Sequence, residues 1–171
     1  MRRRQETIAP PVAAITDNSI VRFDGDRELV QGSDYLTVDD NGGLTNTGSG
    51  DWLQTGTGAI GYGTGAGGAV TQATSITTGV TLNKNCGQIT TVSQTIAAGA
   101  EAEFTVTNSE VAATDVVVAC IATHTSAGEF IVGVSAVAAG SFKLRLTNLH
   151  AATAGNNVLV INFVVIKAKA A

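Results

Sequence analysis

Two histidines, two cysteines and fourteen carboxylates are the side chains of this chain that could move a proton, attack a carbonyl or hold a metal ion. A general base needs a partner that orients its ring and a cleft that brings substrate within hydrogen-bond reach. His124 follows Ile121-Ala122-Thr123 and has Glu129 across a predicted hairpin, while His150 lies among Ala, Thr and Asn. Both read as rim histidines at strand ends. No Gly-x-Ser-x-Gly elbow, His-Glu-x-x-His pair or Walker loop occurs, so nucleophilic and metal-assisted hydrolysis have no motif to rest on. Cys86 and Cys120 are too few and too far apart for a disulfide framework or a structural zinc site. Each falls in or beside an apolar stretch, which predicts buried free thiols. Asp24-Gly25-Asp26 and Asp39-Asp40-Asn41-Gly42 resemble fragments of a calcium loop but lack its alternating ligands, terminal Glu and flanking helices, so Asx-type turns are expected. G-x-G-x-x-G can be read from Gly56 and again from Gly63. A dinucleotide site also needs a buried strand before the glycines, a helix after them and an acidic residue about 20 positions on, and none of these is present. No catalytic residue, metal ligand or cofactor-binding residue is assigned, and the expectation is a protein that is not an enzyme.

The composition suits a protein that packs. A length of 171 residues and 17.3 kDa allows one buried core, or a core with an arm, and excludes a large multidomain enzyme. Charged residues are 14%, against about 25% in ordinary soluble domains, so a lone monomer with its whole surface in water is not expected. Abundant Gly and Thr beside 2 Pro, 1 Met and 1 Trp point to turns and β-branched strands. The net charge of −4 and pI near 5.0 oppose non-specific nucleic-acid binding. Charge is uneven along the chain: Arg2, Arg3 and Arg4 open it, whereas Asp17, Asp24, Asp26, Glu28, Asp34, Asp39, Asp40 and Asp51 face only Arg22 and Arg27. Different partners are expected at the two ends. No run reaches the roughly 20 apolar residues of a membrane helix, Asn162 interrupting the longest candidate, and the polar Gln5-Glu6-Thr7 after the arginines leaves no apolar region of a secretory leader.

The elements divide the chain into four stretches. Residues 1–16, with Pro10-Pro11 and no periodicity, read as an extended arm. Residues 17–47 read as short strands, Ser19–Phe23, Glu28–Val30 and Tyr35–Val38, closed by Asn41-Gly42-Gly43; they carry too little apolar surface to stand alone. Residues 48–68 form a Gly/Thr-rich linker. Residues 69–171 read as an antiparallel β-sandwich or jelly-roll-like core of about eight strands. Its period-2 signal is clearest in Glu101–Thr107, with Ala102, Phe104 and Val106 inward, and in Ser141–Thr147, with Phe142, Leu144 and Leu146 inward. Val116–Ile121 and Val158–Ile166 are apolar on both faces, which predicts cover on both sides, by the second sheet plus a loop or by an adjacent subunit.

Asp17-Asn18-Ser19-Ile20-Val21-Arg22-Phe23-Asp24-Gly25, with Leu29-Val30-Gln31-Gly32-Ser33 and Leu36-Thr37-Val38-Asp39-Asp40-Asn41-Gly42-Gly43-Leu44-Thr45, resembles a short β module of phage tail fibres and other virion appendages. Gly65–Ser75, Gly79–Lys84, Gly87–Thr90 and Phe104–Ser109 lead into a region similar to a domain of small phage structural proteins that decorate heads or form head fibres. The first resemblance implies intertwined trimeric β-structure, and the second transfers no catalytic residue. Together they imply a homotrimer that binds the major capsid protein at the capsid surface; with the charge and the lack of an apolar span or leader, neither nucleic acid nor membrane is expected as partner, and assembly is expected in the host cytoplasm. The anchoring residues would be Arg2, Arg3, Arg4, Pro10, Pro11, Ile15, Ile20, Val21 and Phe23. A full tail fibre needs long repeats that this length does not hold, so a decoration (cement) protein or short head fibre is the expectation. The alternative is a tail-associated adhesin binding a host glycan.

Overall fold

In Ser141–Asn148 every second side chain is withdrawn from water and the others are not: Phe142, Leu144, Leu146 and Asn148 are 0–1% exposed, Lys143 and Arg145 exposed. This alternation is what the pleat of a strand imposes when one face meets a core, and it recurs through the second half of the chain. The computed structural model describes residues 19–24, 29–38, 44–46, 56–124 and 130–169, with the backbone alone for 19–24, 29–38 and Asn157. It is all-β, with no helix among the described residues. The chain divides into two compact units, Met1–Ala59 and Ile60–Ala171.

In the first unit, β1 (Ser19–Asp24), β2 (Leu29–Val38) and β3 (Leu44–Asn46) form an antiparallel sheet in that order. The second strand is continuous where the sequence suggested two short ones; Gly32 and Ser33 pair with Val21 and Ile20 rather than breaking the ladder. The pairing irregularity falls between Ser19 and Ile20.

The second unit holds β4 (Gly67–Thr71), β5 (Val80–Thr81), β6 (Cys86–Thr90), β7 (Gln94–Ile96), β8 (Glu101–Thr107), β9 (Val116–His124), β10 (Phe130–Ala138), β11 (Ser141–Asn148), β12 (Gly155–Asn157) and β13 (Leu159–Ile166). Two four-stranded sheets, β10-β11-β8-β5 and β4-β6-β13-β9, enclose one apolar core. Phe104, Val106, Phe142, Leu144 and Leu146 of the first sheet meet Ile89, Leu159, Ile161, Phe163 and Val165 of the second. The Phe142 and Phe163 rings are in contact, with centroids 5.2 Å apart and a 54° tilt, within the range in which tilted aromatic pairs attract.

Most ladders are antiparallel, but β4 pairs with β6 and β5 with β8 in parallel, so the sandwich is mixed rather than purely antiparallel. The sequence also missed β7 and β12, whose three residues each pair Gln94 with Asn157 and Ile96 with Gly155. Three-residue strands carry too few alternations to register as a period. Gly155-Asn156-Asn157, which reads as a turn, is half of that ladder.

The loops are tied by buried side chains whose polar atoms are satisfied. Asn108 and Asn148, each following a Thr at the end of a core strand, are 0% exposed. Asn108 Nδ2 donates to Lys84 O (2.8 Å) and its Oδ1 accepts from Glu110 N (3.0 Å). Asn148 Nδ2 donates to Ile96 O, Ala97 O and Thr153 O, and its Oδ1 accepts from His150 N. Buried amides left unpaired would cost more than a hydrogen bond returns, so each Asn commits its loop to one path. Gln72 does the same for residues 72–78, donating to Ile76 O and Thr78 O.

Where β4 and β6 run side by side, room has run out. A Cβ on Gly87 would lie 2.6 Å from Leu82 Cδ2, 2.9 Å from the Gly68 carbonyl oxygen and 3.0 Å from Phe163 Cε1. Gly133, in β10, has nothing within 4 Å of its Cβ position. Gly87→Ala is therefore expected to cost about 1–3 kcal/mol in a urea unfolding titration, the range for overpacking. Gly133→Ala should be neutral or stabilising, and equal effects at both sites would overturn this account of the β4–β6 contact.

Candidate functional site

The outer face of β4-β6-β13-β9 is built by the strand phase that the core does not use. In β13, Leu159, Ile161, Phe163 and Val165 point inward, which leaves Val160, Asn162, Val164 and Ile166 outward. In β9, Val117 is buried and Val116, Val118 and Cys120 face out. The registers align these residues in rows. Gly67, Cys86, Val164 and Val118 form one; Ala69, Gln88, Asn162 and Cys120 the next; Thr71, Thr90, Val160 and Thr123 the third. Ile166 and Val116 close the end beside the first row. A register shift between Val160 and Ile161 takes up Ala122 as the extra residue, so Ile121 and Thr123 both stay in phase with their partners.

No charged side chain stands in these rows. Val116, Val118 and Ile166 are 52%, 49% and 52% exposed within the chain. Across the rows Gln88 Nε2 donates to Asn162 Oδ1 (3.1 Å), which leaves the two amides engaged with each other. The apolar surface is concentrated on β13 and β9, whose sequences the expectation of two covered faces singled out. The other sheet covers one face; among the described residues no element lies in sheet register over the other.

Both cysteines occupy this face, which corrects the expectation of buried thiols: Cys120 is exposed and Cys86 half-buried. Their stretches are apolar, but they sit on the outward phase. β6 and β9 flank β13, so the two Cα atoms are separated by two strand spacings, roughly 10 Å, beyond the about 7 Å that a disulfide spans.

The outer face of the other sheet is built the opposite way. Glu103 accepts from Ser135 Oγ (2.6 Å), Lys143 Nζ (3.0 Å) and Arg145 Nη2 (3.2 Å). Glu101 accepts from Thr147 Oγ1 (3.3 Å) and lies 3.5 Å from Arg145 Nη1. The Ser135 hydroxyl first, then the Lys143 ammonium and the Arg145 guanidinium, hold the Glu103 carboxyl down from 4.5 to about 2. A carboxylate so fully hydrogen-bonded to cations has no proton to give and little basicity to take one.

Asp115 closes the end of the sandwich. Its side chain is 1% exposed, with Lys167 Nζ at 2.6 Å, Ala112 N donating at 2.8 Å and Ala168 N at 3.3 Å. The Ala112 amide first, then Lys167, hold its carboxyl below the usual aspartate range. The cluster ties the strand end after β13 to the turn before β9.

Of the residues expected to carry binding, Arg2, Arg3, Arg4, Pro10, Pro11 and Ile15 lie outside the described residues. Ile20, Val21 and Phe23 stand on β1, with Ser33, Gly32 and Val30 as backbone partners. His124 ends β9 opposite Leu159, and Glu129 lies outside the described residues. His150 Nδ1 accepts from Ala152 N (3.1 Å) and Thr153 N (2.8 Å), which makes it a loop brace. The Gly-rich stretch read from Gly63 runs into β4 instead of a helix. Among the described residues no three of His, Cys, Asp and Glu converge as a metal group would. What sequence reasoning did not assign is the outward set on β13 and β9; its signal is a strand apolar in both phases.

Searches of protein-family models, of curated proteins and of solved structures found no match to this chain.

The Glu103 cluster sets a pH dependence. A carboxyl whose folded pKa lies below its unfolded value stabilises the fold above the unfolded value, and that stabilisation is lost as pH falls towards the folded one. Thermal unfolding of the wild type should therefore shift down between pH 4.5 and about 2, and Glu103→Gln should flatten part of that fall while lowering the midpoint at neutral pH. The cluster is partly solvated, so the shift is small and weakened by salt. Parallel acid profiles for the two proteins would remove the assignment.

Proposed function

We propose that the chain is a structural protein of a phage particle, a capsid decoration (cement) protein or short head fibre that binds the major capsid protein as a homotrimer and stabilises the head. The observation that supports it is the uncharged outer face of β4-β6-β13-β9, where Val116, Val118 and Ile166 stand about half exposed. Apolar area of this kind gains roughly 25 cal/mol per Å² when it leaves water, a gain that assembly collects and an isolated chain does not. The phage context comes from the resemblances at Asp17–Thr45 and Gly65–Ser109. The mechanism needs no bond made or broken. Copies bridging neighbouring capsid subunits add contact area that resists pressure from the packaged genome, and several weak contacts held together act as one strong one. The basic start, Arg2 to Arg4, with Pro10, Pro11 and Ile15, would lie against the capsid.

Separating purified particles into heads and tails and probing each with an antibody tests this directly. The protein is expected with heads, and heads lacking it should release DNA at a lower temperature, restored by adding the purified chain. Recovery with tails alone would overturn the reading in favour of an adhesin. Replacing Arg2, Arg3 and Arg4 together by Ser should weaken rebinding to undecorated heads at least ten-fold; unchanged rebinding would remove the arm from the contact.

A further inference from the structure

We infer that the β4-β6-β13-β9 face is the surface through which copies of this chain pack on one another. The inference deepens the proposed function and rests on its claim of self-association. Three observations single out a second copy as the occupant. First, the face carries no charge to match a polyelectrolyte or an acidic or basic peptide, and its central amides, Gln88 and Asn162, already bond each other. The same unit places Glu101, Glu103, Lys143 and Arg145 on its other outer face, so a charged exterior is available to this fold and is withheld here.

Second, the face suits its own copy. Its rows are mainly Val, Ile, Ala, Cys and Thr beside Gly67, Gln88 and Asn162, an uncharged pleated surface that can approach another of its kind at the roughly 10 Å spacing of packed sheets. Third, the area sets the mode of contact. Strands of 5, 5, 8 and 9 residues (β4, β6, β13, β9) at about 4.8 Å spacing and about 3.3 Å per residue cover roughly 430 Å² per copy, so two faces bury about 850 Å², less than an isolated specific pair needs. A contact of that size holds when each copy meets more than one neighbour or is joined to it elsewhere, and does not hold an isolated pair tightly.

Cys120, exposed in the middle of the face, is a native reporter. In full-length Cys86→Ser protein, alkylation of Cys120 is expected to run at least ten-fold slower than in the same chain unfolded in urea, and the folded protein should sediment as an oligomer. Val118→Lys should shift sedimentation to the single chain and open Cys120. Ile131→Lys, which adds the same charge at matching exposure on the other sheet (50% against 49%), should change neither. An oligomer in which Cys120 reacts as fast as in urea would overturn this inference and leave self-association standing. A single chain with reactive Cys120 would remove both. Protection of Cys120 in a single chain would also overturn the inference, since the cover would then be the chain's own.

Discussion

A strand that is apolar in both phases cannot be satisfied by one neighbour, and β13 is such a strand. Leu159, Ile161, Phe163 and Val165 go into the core, and their burial demands a facing sheet; β8 and β11 supply it with Phe104, Val106, Phe142, Leu144 and Leu146. That leaves Val160, Val164 and Ile166 on the far side. β13 is also interior to its sheet, paired by β9 along its length and by β6 over Val160–Val164, so no reorientation of the strand can hide the second phase. The sandwich and the bare face are two results of one sequence run.

The rest of the unit is arranged so that this strand stays where it is. Its start is held by Thr91, whose Oγ1 accepts from Leu159 N, and its end by the Asp115–Lys167 cluster. Tyr62 OH donates to Val165 O at 2.7 Å and Val165 N to Asn85 O at 2.7 Å, so the ladder continues where β6 has ended. Gly87 and Gly68 let β4 and β6 pass beneath Leu82 and Phe163 without displacing them. Charge is used on the other sheet, where Lys143 and Arg145 meet Glu101 and Glu103 across a ladder rather than along a strand.

The all-β class and the sandwich-like core were legible because their signal is local. Phe104, Val106, Phe142, Leu144 and Leu146 repeat every second residue, and all are buried. The parallel β4–β6 and β5–β8 pairs were not legible, since pairing between distant segments leaves no mark on either sequence. The cysteines were misread for a related reason: an apolar neighbourhood in sequence does not give the phase of a strand, and Cys120 lies one residue from the inward side. Asn108 follows and Asn148 ends a strand that the alternation located, yet nothing short of the loop geometry marks an amide as fully buried. For the candidate surface, the doubly apolar runs were visible and the choice between a covering loop and an adjacent subunit was not.

The rows of the β4-β6-β13-β9 sheet also give the second unit a front and a back. The chain comes in by Tyr62 and Gly67 and leaves after Ile166, and the registers put these points at one end, beside Cys86 and Val116. Thr71, Thr90 and Leu159 mark the opposite end, where residues 72–79, 91–93 and 149–158 link the strands. Covalent attachment to anything at either terminus therefore occurs at one pole, and the links around Gln72 and His150 lie at the other. Foreign sequence joined before Tyr62 or after Ile166 would therefore leave the unit by the same pole, away from the links that Gln72 and His150 brace.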